Sequence, residues 1–177
     1  MPLWLSVIAR AITAFNRRLF QITVWLMAIV VPVMLYEVVM RYFFNAPTVW
    51  GMELAVLLFG PYFLLGGPYL LHLKGHVALD LLRQRLSAAW TRRLDLVNYP
   101  VIVLFCGILL VYSVPAALSA FEYRETSFSA WNPPVWPVKA AVPLALLLML
   151  LQALVEFARA LFGETADTNE TGERAQA

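Results

Sequence analysis

Leu96–Phe121 reads LVNYPVIVLFCGILLVYSVPAALSAF, 26 residues without one charged side chain. As a helix it would extend about 39 Å, more than the ~30 Å hydrocarbon core of a bilayer, so it is long enough to cross with some tilt. Working outward from it, three more such segments appear. Leu19–Tyr36 is uncharged for 18 residues and runs on through Val38, Val39 and Met40 into Arg41-Tyr42-Phe43-Phe44. Trp50 to Leu71 forms another after the Asn45-Ala46-Pro47 turn, with Thr48 suited to cap its start. Ala140–Val155 is the last; its 16 residues reach only about 24 Å, so Lys139 and Glu156 are expected to snorkel to the two surfaces. The expected spans are about 19–43, 49–71, 95–121 and 137–158. Pro32 is expected to bend the first, because its ring removes a backbone donor, and Gly60-Pro61 and Gly66-Gly67-Pro68 weaken the second.

Composition agrees. The 177 residues are 62% hydrophobic and 14% charged, with a mean hydropathy of +0.73, where soluble domains run about 45–50% and about 25%. A water-soluble fold of this size could not hide so much apolar surface, which excludes a cytosolic enzyme. The formal charge of +2 with dispersed arginines gives no footprint for nucleic acid. Cys106 is the single cysteine, so no disulfide forms within the chain, and His72 and His76 are the only histidines; a structural zinc site needs about four such ligands.

Two further stretches have helical periodicity. In residues 1–18, Trp4, Ile8, Ala11, Ile12 and Phe15 recur on one stripe, with Ser6, Arg10, Thr13 and Arg17 opposite. In residues 77–91, Ala78, Leu81, Leu82, Leu86 and Ala89 oppose Asp80, Arg83, Gln84, Ser87 and Thr91. Both are expected to be amphipathic helices lying in the membrane interface. The first has its arginines after its apolar residues, unlike a cleaved signal peptide. Residues 122–137 form a Trp- and Pro-rich loop, and the polar tail 161–177 is expected to be disordered. With four spans, the N-terminus, the loop between spans two and three, and the tail share 10 of the 13 lysines and arginines. The positive-inside rule then places both termini in the cytoplasm. The expected fold class is therefore an all-α membrane protein with four transmembrane helices and two interfacial ones.

Ionisable residues inside a membrane mark ion or substrate paths, but the span centres near Ala28, Phe59, Gly107 and Leu147 have none nearby. Glu37, Arg41 and Glu53 fall instead at one depth across the first hairpin. They are read first as a mutual ion pair tying it together, and second as a contact to a partner subunit. His72 and His76 lie four apart on one helix face, which cannot clamp a haem from both sides, and are read as interfacial. The Gly66-Gly67-Pro68 break is read as close helix packing rather than a sodium-binding discontinuity, since no internal repeat accompanies it. Trp50, Trp131 and Trp136 form an outer aromatic belt and Trp90 an inner one. A four-helix body with a side-chain-filled core and no polar midplane offers no conduit; it suits an anchor or brace.

One stretch is distinctive. Glu37-Val-Val-Met-Arg41-Tyr42-Phe43-Phe44-Asn45-Ala46-Pro47-Thr48-Val49-Trp50-Gly51-Met52-Glu53 resembles the E-xxx-RYxFN-xP-xxW-xxE signature of the small membrane subunit of tripartite ATP-independent periplasmic (TRAP) transporters, the DctQ-like family. Gly75-His76-Val77-Ala78-Leu79-Asp80-Leu81-Leu82, and Glu125-Thr126-Ser127 with Pro134-Val135-Trp136, resemble it too, so the likeness covers roughly residues 20–160. It implies a non-catalytic subunit of the bacterial inner membrane that holds no cofactor itself. Its expected partners are phospholipid, a large elevator-type membrane subunit that binds sodium, and a periplasmic substrate-binding protein delivering an organic acid. Glu37, Arg41, Tyr42, Asn45, Trp50 and Glu53 are the residues the resemblance marks for the outer hairpin. Two other classes remain open on the residues alone. A haem- or quinone-holding anchor of an oxidoreductase would need axial histidines on facing helices, and a small multidrug exporter would need a mid-span carboxylate.

Overall fold

The computed structural model describes residues 3–73 and 88–162, which form four helices: α1 (Leu3–Tyr42), α2 (Gly51–His72), α3 (Ala88–Glu122) and α4 (Trp136–Phe162). Each is long and apolar enough to cross a membrane. Helices are the natural outcome, because hydrocarbon offers no water to backbone N–H and C=O groups and a helix satisfies them internally. The chain runs up and down, so one end of the molecule holds Leu3, His72, Ala88 and Phe162 (the termini end) and the other holds the connections 43–50 and 123–135 (the hairpin end).

The helices stop for local reasons. After α1, Asn45 takes a left-handed conformation (φ 52°) that asparagine tolerates better than most residues, and the amide of Ala46 donates to Met40 O at 3.0 Å. After α3, Arg124 occupies the left-handed position (φ 46°) usually given to glycine, while Glu125 N donates to Ala120 O and Arg124 N to Phe121 O. Those two bonds are a Schellman closure. The connection to α4 is then a small hairpin in which Thr126 bridges Pro134, joining the two stretches, Glu125-Thr126-Ser127 and Pro134-Val135-Trp136, singled out in the sequence.

Packing follows the order α1–α2–α4–α3: α1 lies on α2, α2 on α4 and α4 on α3, while α1 meets α4 only briefly and forms no packed interface with α3. The four helices therefore do not close around one filled core as expected. A buried apolar cluster of Leu71, Tyr99 and Ala153 lies toward the termini end, where α2, α3 and α4 meet. On α1 the buried residues are Ala9, Asn16, Thr23, Val30 and Glu37, every seventh position. On α3, Tyr99, Cys106, Ala117 and Ala120 are buried; Tyr99 and Cys106 are seven apart and Ala120 lies two such intervals further on. A seven-residue seam is the signature of left-handed, nearly antiparallel packing. Small residues let the backbones approach. A Cβ added to Gly66 would lie 3.5 Å from the Phe20 ring of α1, and one on Gly67 would lie 3.5 Å from Met149 Sδ of α4. Thus α2 is sandwiched, and it runs unbroken through Gly66-Gly67-Pro68. The glycines serve packing.

Residues 3–18 are helical but belong to the single 40-residue α1. Nothing between Phe15 and Phe20 would interrupt it, and Pro32 lies inside it without ending it. Asn16 is turned inward while Trp4, Val7, Ile8 and Phe15 are exposed. Of the second amphipathic segment, residues 77–87 lie outside the described part, as do His76 and the tail from residue 163; residues 88–91 begin α3.

Candidate functional site

Among the described residues, the buried polar side chains that bond between helices or across a turn gather in two clusters, one at each end. At the hairpin end Glu37 is buried on α1. Arg41, one turn on, donates from its guanidinium to Glu37 Oε1 at 2.6 Å, the favourable i, i+4 arrangement. The amide of Thr48 donates to Glu37 Oε2 at 3.2 Å and its hydroxyl donates to the same oxygen. Thr48 Oγ1 in turn accepts from Gly51 N at 3.3 Å. One carboxylate thus ties the end of α1, the turn and the start of α2. The helix cap itself is Trp50, two residues later than the sequence suggested, and Thr48 supplies the hydroxyl from outside it. Trp50 stacks on Tyr36 with ring centroids 6.1 Å apart.

Of the six residues marked in the sequence, Glu37 and Arg41 form the expected ion pair, Asn45 makes the turn and Trp50 packs across it. Tyr42 is exposed. Glu53 does not join Glu37 and Arg41: its Oε2 accepts from Ser129 Oγ at 2.6 Å, linking α2 to the second hairpin. Its position in the first turn of α2 aims it there. That hairpin is braced further by Lys139, whose ammonium donates to both oxygens of Glu125 at 2.6 Å. Lys139 is held by a partner rather than merely reaching for water.

At the termini end the sequence reading missed most of what matters. Gln152 of α4 is fully buried. Its Oε1 accepts from Asn16 Nδ2 at 2.9 Å, and its Nε2 donates to Thr13 Oγ1 at 3.3 Å and to Glu156 Oε1 at 3.0 Å. Glu156 Oε1 also accepts from Arg159 at 2.9 Å and lies 2.7 Å from His72 Nδ1. The chain of contacts runs from α2 through α4 to α1 and ends at Asn16 Oδ1, which is buried without a partner among the described residues. Glu156 therefore does not snorkel; it is buried because three donors meet it. His72 is not simply interfacial, for the same reason. Trp90 and Arg93 make a cation–π contact of 5.2 Å nearby in the chain, at the start of α3.

A signal for this cluster existed. Gln152, Glu156 and Arg159 share one face of α4, and Asn16, Thr23 and Glu37 fall on one seven-residue stripe of α1. In a membrane helix a polar stripe marks the side turned to protein, the reverse of the soluble rule.

The two clusters have a spacing with physical meaning. Asn16 and Glu37 are 21 residues apart on α1, about 31 Å of helix, which matches the hydrocarbon thickness. Between them the buried residues are apolar or, like Thr23, bonded within their own helix. The arrangement ties helices together at both ends of a segment of membrane length, with apolar burial between. No group of three or more His, Cys, Asp or Glu that could hold a metal ion occurs among the described residues, and His72 has its Nδ1 on Glu156 rather than facing a second histidine.

Comparison with known proteins agrees with the signature in the first hairpin. Curated proteins give no match. The sequence does match the family described as "Tripartite ATP-independent periplasmic transporters, DctQ component" over residues 30–163, well over half of its length. That range takes in the Glu37 clasp, both hairpins and Glu156, so the chain belongs to the DctQ family and is a small membrane component of a TRAP transporter.

Proposed function

We propose that this subunit is a mechanical brace for the large membrane subunit of a sodium-coupled organic-acid transporter, and that substrate and sodium are handled by its partners. The observation that carries this reading is the distribution of charge: each buried ionised group on the described helices is bonded within the chain at one of two layers about 31 Å apart. Such layers stiffen the helix row where it meets water and provide no mid-membrane site for a translocated ion. The excess of lysines and arginines supports placing the termini end in the cytoplasm. The hairpin end would then face the periplasm of a bacterial inner membrane, where a substrate-binding protein docks. The exposed apolar surfaces of α1 and α3 would be shared between phospholipid and the large subunit. No observation favours the haem- or quinone-anchor reading.

The test is reconstitution. Proteoliposomes containing the large subunit, the binding protein and this chain should accumulate the acid that the binding protein binds when a sodium gradient is imposed. Vesicles with this chain alone should not, and omission of this chain should abolish uptake. Uptake by this chain alone would overturn the proposal.

A further inference from the structure

Five of the six tryptophans lie toward the two ends of the molecule, Trp4 and Trp90 at the termini end and Trp50, Trp131 and Trp136 at the hairpin end, where interfacial water can accept from an indole N–H. Trp25 is the exception. It lies nine residues beyond Asn16 and twelve before Glu37 on α1, about 13 Å and 18 Å from the two polar layers. Its ring reaches neither boundary, and the residue is 73% exposed. Among the described residues nothing accepts from its indole N–H. Thr23 and Ser113 behave otherwise: their hydroxyls donate within their own helices, to Phe20 O at 2.8 Å and Leu110 O at 3.2 Å.

Two more polar groups share that face. Pro32, seven residues on, is exposed, and it has no N–H to give to the carbonyl of Ala28, itself an exposed residue. Gln21, one turn before Trp25, is exposed as well. Positions 21, 25, 28 and 32 follow a single helix face. Trp25 is two residues, about 200° of turn, from Thr23 in the buried seam of α1. That seam packs chiefly on α2, so the Trp25 face looks off the end of the helix row. Hydrocarbon offers no partner to a bare carbonyl or N–H, and a polar face within a membrane marks the side turned to protein.

We propose that this face of α1 is the docking site for a transmembrane helix of the large subunit, and that the helix carries a side-chain amide or hydroxyl at mid-membrane which accepts from Trp25 Nε1–H and donates to Ala28 O. The inference rests on the brace reading for the identity of the partner and adds where the brace attaches: the row of helices continues from α1 into the large subunit. An amide or hydroxyl is the chemistry required, because it donates and accepts at once and brings no charge into the hydrocarbon. A second copy of this chain does not fit the face. Two-fold pairing would set Trp25 against Trp25 at one depth, whereas backbones approach closely only over small residues.

The test leaves Trp25 in place and puts the photoreactive residue benzoylphenylalanine at Ile22, which is exposed beside it, in cells expressing the complete transporter. Membranes are illuminated and the adducts identified by mass spectrometry. The expected product joins this chain to a membrane-spanning segment of the large subunit; adducts to lipid alone, or to a second copy of this chain, would overturn the proposal. Trp25→Phe then keeps a ring and removes the N–H. Its affinity for the large subunit, measured by energy transfer in nanodiscs, should fall about 3- to 18-fold, the effect of one interhelical hydrogen bond. The unfolding midpoint of the variant chain by itself should not change, since no bond within the chain is lost; an unchanged affinity would overturn the proposal. The two readings fail differently. If the unaltered chain and the large subunit do not associate, both fall; if they form a stable complex without the Ile22 adduct, only this docking face falls.

Discussion

Replacing Gln152 by leucine probes the termini-end cluster most sharply, because the volume is nearly conserved and only the polar atoms are lost. Gln152 is fully buried and bonds Asn16, Thr13 and Glu156. Glu156 keeps two other partners, Arg159 and His72, and Thr13 sits where its hydroxyl can turn. Asn16 has no such recourse, since its Oδ1 is already without a partner among the described residues and its Nδ2 would join it. An interhelical hydrogen bond in a membrane protein contributes about 0.6 kcal/mol on average and up to about 1.7, and a stranded buried donor adds about 1–3 kcal/mol. The expected cost of Gln152→Leu is therefore about 2–3 kcal/mol. The double variant Asn16→Leu/Gln152→Leu removes both ends of the bond and should recover at least about 1 kcal/mol relative to the sum of the single changes. Reversible unfolding in mixed detergent micelles, followed by circular dichroism, gives all four corners of the cycle. A neutral Gln152→Leu, or strictly additive single changes, would show that this cluster does not hold α1 to α4.

Three further outcomes follow from contacts elsewhere. Gly66→Leu should wedge Phe20 away from α2, as even a Cβ there lies 3.5 Å from the ring; overpacking of this kind costs about 1–3 kcal/mol, to be read as a lower unfolding midpoint in the same micelles. Gly51→Ala should lower thermal stability although alanine favours helix by about 1 kcal/mol, because its Cβ would fall 2.8 Å from Thr48 Oγ1 and 3.0 Å from Glu37 Oε2; if Thr48→Ala is added, the penalty should shrink. Lys139→Met, by contrast, should change stability by no more than about 1 kcal/mol in a thermal melt, because both members of the Lys139–Glu125 pair are substantially exposed.

What could be read directly from the sequence was what the bilayer dictates. Uncharged runs of membrane length gave the four helices, and their caps and turns gave the limits of α2 and α4 to within a few residues. The first hairpin was also legible, because Glu37 and Arg41 are a local i, i+4 pair and the turn residues Asn45-Ala46-Pro47 lie between them and Thr48. The limits of this reading were equally physical. Gln152 meets Asn16 across 136 residues, and no local pattern carries a contact of that range. The periodicity of residues 1–18 predicts a helix lying in the interface and places Asn16 on neither of its stripes, whereas Asn16 turns to protein, as polar groups in lipid do. Glu156 ends an uncharged run too short to span and is therefore expected at the surface; its partner His72 lies 84 residues away in the chain, beyond the reach of any local pattern. Glu53 could be placed at the right depth, but its partner Ser129 sits in a hairpin whose path the sequence does not determine.

The central claim is that this chain works as part of a larger membrane assembly and transports nothing alone. Native mass spectrometry of the chain, extracted gently from its own membranes, measures this most directly. The dominant species should carry this subunit together with a second, larger polytopic membrane protein, with the pair surviving collisional removal of detergent. If the chain is recovered repeatedly as a monodisperse species by itself from membranes that also contain the larger protein, the account of it as a brace is contradicted.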